Sequence, residues 1–204
     1  MAKRTSRAKR PDPRAKVIEV ALAFAAEGRW RDLSLAEIAE AAKLPSAEVY
    51  RLFSSKQAIL SAYSADIDAK VLAGQAADLV SEPARDRLFD VIMRRLDALR
   101  PNKAGLATIA QDTARDPMLA VCGGCRLRRS MAAMLEAADL SAEGLRGTLR
   151  VKGLAAVYLA TLRIWFRDDS EDMGKTMAKL DSALRCIDRI IRCCRGRKPS
   201  VEVA

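Results

Sequence analysis

Two helix starts, one at Ser34 and the next at Ser46, limit this chain more than any other feature. In Ser34-Leu35-Ala36-Glu37 the serine can cap the third amide while the glutamate returns to the serine's own amide, a capping box ahead of Ile38 and Ala41. At Leu44-Pro45-Ser46 the proline restrains Leu44 to extended geometry and suits the first turn of a new helix. The helix between the two starts must therefore be short. Its successor, with Val49 and Phe53 at helical spacing, is cut off by a third start near Ser55.

The flanking segments are helical as well. Asp12 and Pro13 supply a capping oxygen and a first-turn proline for a helix through Glu27, ended by Gly28, with Val17, Val20, Ala21, Phe24 and Ala25 recurring on one side. From Ser55, Ala58, Ile59, Ala62 and Tyr63 line a longer helix that meets no breaker before Ser81-Glu82-Pro83. Further helices are predicted over 84–100, 102–113, 117–138, 142–167 and 170–195, separated by Pro101, Asp116-Pro117, Ser141 and Arg167-Asp168-Asp169-Ser170. Alanine and leucine abound and β-branched residues seldom alternate, so the fold class is all-α with about nine helices. A three-helix head over 12–55 precedes a larger helical bundle over 56–195, between a basic arm at 1–11 and a tail at 196–204.

Charge narrows the partners. The net charge is +10, which favours nucleic acid or an anionic membrane. Lys3, Arg4, Arg7, Lys9, Arg10, Arg14 and Lys16 crowd the start against the single acid Asp12, as either a phosphate-gripping arm or a solubilising tail. With no histidine in the chain, a Ser or Cys nucleophile lacks an imidazole base and a catalytic zinc lacks a nitrogen ligand. No pair of carboxylates stands out by spacing, so catalytic residues, metal and cofactor are all expected to be absent and the chain is not expected to be an enzyme. The five cysteines are an odd number in a chain without an apolar signal core, which implies reduced thiols and a cytoplasmic location. Cys122-Gly-Gly-Cys125 is better explained as a helix kink with incidental thiols than as a metal site.

A helix, a capped short helix, a corner and a second short helix make the helix-turn-helix plan, whose last element can lie in a major groove. The stretch VIEVALAFAAEGRWRDLSLAEIAEAAKLPSAEVYRLFSSKQAIL resembles the amino-terminal domain of the TetR family of bacterial transcription regulators: an alanine-rich first helix ending in Gly28, the Ser34 cap before Ile38-Ala39, then Tyr50, Phe53, Lys56 and Leu60. The resemblance implies phosphate contacts at Ser34, Tyr50 and Lys56 and base-facing positions at Ser46 and Ala47. It also implies operator DNA as partner, in the hands of a repressor controlled by an effector. Two departures stand in the reading element: Lys43 where the family commonly has glycine, and Glu48 where it commonly has a phosphate-facing threonine. Glu48 would repel phosphate unless it pairs with Arg51, which is otherwise available to read a guanine.

The larger half carries a second likeness. Residues 84–99 and 153–181, with Trp165, Asp168, Ser170, Asp172, Thr176 and Leu180-Asp181, resemble ubiquinone-biosynthesis accessory proteins that keep a TetR-like fold but bind lipid. This implies an alternative function without DNA reading. Leu88, Ile92, Met131, Met134, Tyr158, Leu162 and Trp165 could wall a pocket for an apolar small molecule or lipid effector, although most apolar residues here serve as core. Met173, Met177, Leu180, Leu184, Ile187 and Ile191 recur at alternating four and three, which suits either core or a homodimer seam. The TetR-like fold favours the seam. No apolar run is long enough to span a bilayer. The basic end of the last helix, Arg185 to Lys198, is more cheaply explained by complementing the helix dipole than by membrane contact.

Overall fold

A computed structural model describes residues 12–74 and 82–196, with side chains through 189. The Lys3, Arg4, Arg7 and Arg10 arm lies outside the described residues, as do the tail and the stretch 75–81. Nine α-helices occur among the described residues: α1 Pro13–Ala26, α2 Leu35–Ala42, α3 Ser46–Leu52, α4 Lys56–Ala73, α5 Ala84–Leu99, α6 Lys103–Arg115, α7 Pro117–Ala137, α8 Gly144–Trp165 and α9 Gly174–Gly196. A 3-10 turn, Arg100–Asn102, joins α5 to α6.

Four of these helices, α1, α2, α4 and α7, begin on a side-chain cap. Asp12 accepts from the Arg14 amide at 3.0 Å, Ser55 from Ala58 at 3.2 Å, and Asp116 from Met118 at 2.8 Å. The last helix starts at Gly174 rather than Ser170, because Ser170 does not act as a cap. Its hydroxyl donates to Asp168 Oδ1 at 2.5 Å, and Met173 takes a left-handed φ of 52° that keeps the chain from coiling earlier. Asp168 then holds the new helix from outside it, accepting from the Thr176 amide at 2.8 Å and the Thr176 hydroxyl at 2.7 Å. These bonds, the Ser170 hydroxyl foremost and Thr176 next, keep the Asp168 carboxyl well below the usual aspartate range.

One hydrophobic cluster runs through both parts of the molecule. In the head, Val17, Ile18, Ala21, Leu22 and Ala25 of α1 meet Trp30, Leu33, Ile38, Val49 and Phe53. In the body, Ile59, Tyr63 and Ile67 of α4 continue the cluster into Val91, Ile92 and Leu96 of α5, Met131 and Met134 of α7, and Leu154, Tyr158 and Trp165 of α8. Complete burial of each large aliphatic is worth about 1.5–3 kcal/mol. The Arg14–Asp66 ion pair between α1 and α4, at 2.7 Å but with 38 and 43 % of the two side chains exposed, adds at most about 1 kcal/mol. Packing therefore holds the head to α4, and the ion pair adds little to it.

The head also touches the body through α6, whose Gly105 lies so close to α1 that a Cβ there would come within 2.7 Å of the Leu22 carbonyl oxygen.

The stripe on α9 requires a correction. Met173, Leu180 and Leu184 are buried in the protomer's own core, and Met177 and Ile187 are half-buried beside them. Because α9 packs on α8 and α5, Met173, Leu180 and Leu184 are spent in the protomer's own core. The Ile191 side chain lies outside the described residues.

Candidate nucleic-acid interface

The predicted capping box is formed in full. The Glu37 amide donates to Ser34 Oγ at 3.2 Å, and the Ser34 hydroxyl and amide both donate to Glu37 Oε2, at 2.7 and 2.9 Å. The same glutamate pairs with Arg29 at 3.2 Å. The serine hydroxyl, then its amide, hold the Glu37 carboxyl below its ordinary pKa. Ser34 thus spends its proton inside the head. What the start of α2 can offer an anion is its first-turn amides, which have no partner within the helix.

At the corner, Lys43 takes the left-handed conformation at φ 56° while its amide bonds Ala39 and Glu40 carbonyls. An L-residue with a Cβ bears roughly 1–2 kcal/mol there that glycine would not. Its side chain is exposed. Val49 is fully buried and anchors α3, so that Ser46, Ala47, Tyr50 and Arg51 face outward. Tyr50 is 56 % exposed, unusual for a residue with so much apolar surface. Glu48 is half-buried, and among the described residues it makes no ion pair with Arg51. The carboxylate on this face is therefore not neutralised by the neighbour the sequence offered.

Lys56 has a second task that sequence reasoning missed. Its ammonium donates to the Trp30 and Arg31 carbonyls at 2.8 and 2.9 Å and lies 5.4 Å from the Trp30 ring centroid. It thereby ties the α1–α2 loop to the first turn of α4. Burial lowers its pKa, with Asp32, Asp112 and Glu37 acting in the opposite direction. Two of its three N–H groups are engaged, which leaves one for a phosphate.

The residues proposed to wall a pocket lie in one cluster, but it is tightly closed. Ile92, Met131 and Met134 have no exposed surface, Tyr158 and Trp165 are buried, and Leu88 and Leu162 pack half-buried against them. No water-sized space touches the first three. Sequence reasoning also missed the polar centre of the body. Arg95 of α5, only 4 % exposed, has Nη2 3.0 Å from Asp68 Oδ1 of α4. The same nitrogen donates to Ser64 Oγ of α4 at 3.2 Å and Ser130 Oγ of α7 at 3.0 Å. Ser130 in turn donates to Asp68 Oδ2 at 2.6 Å. No residue of this group stands at a periodic or motif position, so only the fold could bring it to notice.

Cys122 is half-buried and Cys125 and Cys186 are exposed, all as free thiols. Among the described residues no group of three or more His, Cys, Asp and Glu is placed to hold a metal, and no helix is long and apolar enough to cross a membrane.

Residues 17–63 match the family description of bacterial regulatory proteins, tetR family. The whole chain resembles solved structures of that fold. A TetR transcriptional regulator from Nitrosomonas europaea ATCC 19718 is 24 % identical, with 87 % of this chain and 99 % of that one covered, at a TM-score of 0.71. For a TetR transcriptional regulator from Rhodococcus sp. RHA1 the figures are 19 %, 86 and 95 %, and 0.61. For the transcriptional regulator FadR from Bacillus subtilis, solved in complex with stearoyl-CoA, they are 18 %, 85 and 96 %, and 0.53. No curated protein matches. The all-α architecture is thus a TetR-like fold, and its head is the part that matches the tetR-family description.

Proposed function

We propose that this chain, with a tetR-family head and a TetR-like fold throughout, is a DNA-binding transcriptional regulator, a repressor whose operator affinity a small apolar effector controls. The observation that carries this reading is the outward face of α3. Ser46, Ala47, Tyr50 and Arg51 are exposed there, while Val49 anchors the helix from behind. The amides at the start of α2 and the remaining N–H of Lys56 supply sequence-independent phosphate contacts, and the α3 face supplies the base-facing ones. The arm residues Lys3, Arg4, Arg7 and Arg10 add positive charge that a phosphate backbone would attract.

A homodimer belongs to the same reading, since two heads on a two-fold axis suit a palindromic site. In place of the buried α9 stripe, the outward face of α8 offers Leu145, Leu149, Lys152, Ala156, Leu159 and Arg163, all exposed and spaced alternately four and three. Leu145 is 79 % exposed, Leu149 62 % and Leu159 50 %. Such a row of leucines in open water calls for a partner helix.

The stearoyl-CoA bound to the Bacillus subtilis protein supports an apolar effector in the body. Here the closed cluster around Ile92, Met131 and Met134 would have to part to admit one. Binding would then favour the opened body, and the spacing of the heads with it.

The test is retention of DNA from upstream of the protein's own gene across a salt series. Binding that weakens steeply and log-linearly with salt is expected. Absence of salt-sensitive binding even at low ionic strength would remove the reading.

A further inference from the structure

The polar centre of the body makes incomplete use of its arginine. Nη2 of Arg95 donates to Ser64 and Ser130 and lies 3.0 Å from Asp68 Oδ1 without a hydrogen bond, whereas Arg95 Nε and Nη1, and Asp68 Oδ1 itself, are buried without a hydrogen-bond partner among the described residues. An unsatisfied buried donor on a charged group is costly. The face of the guanidinium is occupied, with Cζ 5.4 Å from the centroid of the Tyr158 ring, but a ring face does not replace a lone pair in the guanidinium plane. Burial raises the Tyr158 pKa, so this neighbour remains a neutral phenol.

The charge balance decides what could complete the group. Asp68 already neutralises Arg95 at 3.0 Å. A carboxylate or phosphate entering beside them would leave a net negative charge in a buried site, whereas a neutral acceptor oxygen would satisfy a donor without adding charge. Immediately beyond Ser130 on α7 stand Met131 and, one turn on, Met134, both fully buried. Such unbranched thioethers re-pack around an apolar body more readily than branched side chains.

Resting on the effector-controlled reading above, we propose that the effector is an uncharged apolar molecule bearing a carbonyl-type acceptor oxygen, a ketone, ester or amide, which Arg95 binds through Nε or Nη1. The consequence for regulation follows from where the partners sit. Ser64 and Asp68 are on α4, while Arg95 and Ser130 are on α5 and α7. An acceptor seated on Nε or Nη1 would shift the guanidinium that Nη2 ties to both α4 residues. It thus loosens the clasp between α4, which begins with Lys56 under the head, and the rest of the body.

Two probes with the same carbon chain separate the chemistries: 2-decanone and decanoate, titrated into the full-length protein and followed by intrinsic tryptophan fluorescence. The ketone is expected to bind at least about tenfold more tightly than the carboxylate, because the latter would bring an uncompensated charge into the buried site beside Asp68. Arg95→Lys keeps the charge but removes Nε and Nη1, and should weaken ketone binding about tenfold, the size of one hydrogen bond to a charged group. Because Arg95→Met alone would strand Asp68, the double variant Asp68→Leu/Arg95→Met serves as the charge-free partner and should weaken ketone binding by a similar factor. Tighter or equal decanoate binding by the wild type, ketone affinity unchanged in both variants, or no binding of either probe would overturn the proposal. Operator binding by the same preparations is measured in parallel. Its absence in the wild type would sink the regulator reading, while ketone binding dependent on Arg95 would stand without it.

Discussion

Replacing Gly105 and Gly124 by alanine, one at a time, makes the same chemical change in two helices and should shift stability in opposite directions. Alanine is favoured over glycine in a helix interior by about 1 kcal/mol. Gly124 is exposed on α7 with nothing within 4 Å of the new Cβ, so it should realise that gain. In a chain of this size, that raises the melting temperature by about 2–4 °C. At Gly105 the Cβ would stand 2.7 Å from the Leu22 carbonyl oxygen and 3.3 Å from both Ala25 Cβ and the Ala26 nitrogen. Two of those three atoms belong to the α1 backbone and cannot swing aside, so α6 must back away from α1 by several tenths of an ångström. Overpacking of this kind costs about 1–3 kcal/mol. Set against the propensity gain, the net lies between about zero and 2 kcal/mol of destabilisation. Thermal denaturation followed by circular dichroism measures both variants. Since α1 belongs to the head and α6 to the body, Gly105→Ala should also change DNA affinity, while Gly124→Ala should not. If Gly105→Ala stabilises the protein as much as Gly124→Ala, the close approach of α1 and α6 is not what the structure describes, and the argument for contact between head and body at this point fails.

Glu48→Thr should tighten DNA binding about fivefold at low salt, since removing one repulsion of about 1 kcal/mol is at stake; unchanged affinity in fluorescence anisotropy would mean that Glu48 does not face a phosphate. Leu149→Glu places a charge in the middle of the α8 leucine row and should convert a dimer to monomers, as read by light scattering after size exclusion; an unchanged mass would move the seam elsewhere. Asp168 has a folded pKa below the ordinary aspartate value, so its contribution to stability is complete above that ordinary value and is lost as pH falls through it towards the lower folded one. Urea midpoints of the wild type should therefore fall across the acidic range, and those of Asp168→Asn should start lower and fall less; parallel curves would refute the role given to this carboxylate.

What could be read from the sequence was local chemistry. The Ser34 box, the Pro45 corner and the Ser55 cap each depend on atoms a few residues apart, and each stands where it was expected. The misreadings share one cause, which is that spacing does not say what lies opposite. The α9 stripe has the same alternation whether it meets another subunit or the chain's own α5 and α8, and only the tertiary fold chooses between them. Ser170 resembles an N-cap until Asp168 claims its hydroxyl. The residues Asp168, Ser170 and Thr176, which helped to suggest a lipid-binding accessory protein, form a helix corner. As a corner they say nothing of a ligand. Lys56 was visible as a cation but not as a brace for the Trp30 loop. The Arg95 group was not visible at all, because its members come from three helices and none occupies a patterned position.

The placement of the Arg95 clasp on α4 also has a mechanical consequence. From Asp68 back to Lys56 the helix runs about 18 Å at 1.5 Å per residue. A tilt of α4 by about 6° around the clasp would carry Lys56 sideways by about 2 Å, given that length. In a two-fold dimer both heads would move, so their separation would change by about 4 Å against successive major grooves set about 34 Å apart. Hydrogen bonds to phosphate tolerate only a few tenths of an ångström. In the proposed dimeric regulator the helix would thus be a lever, and a displacement at its clasp too small to disturb the core would put both heads out of register with the groove.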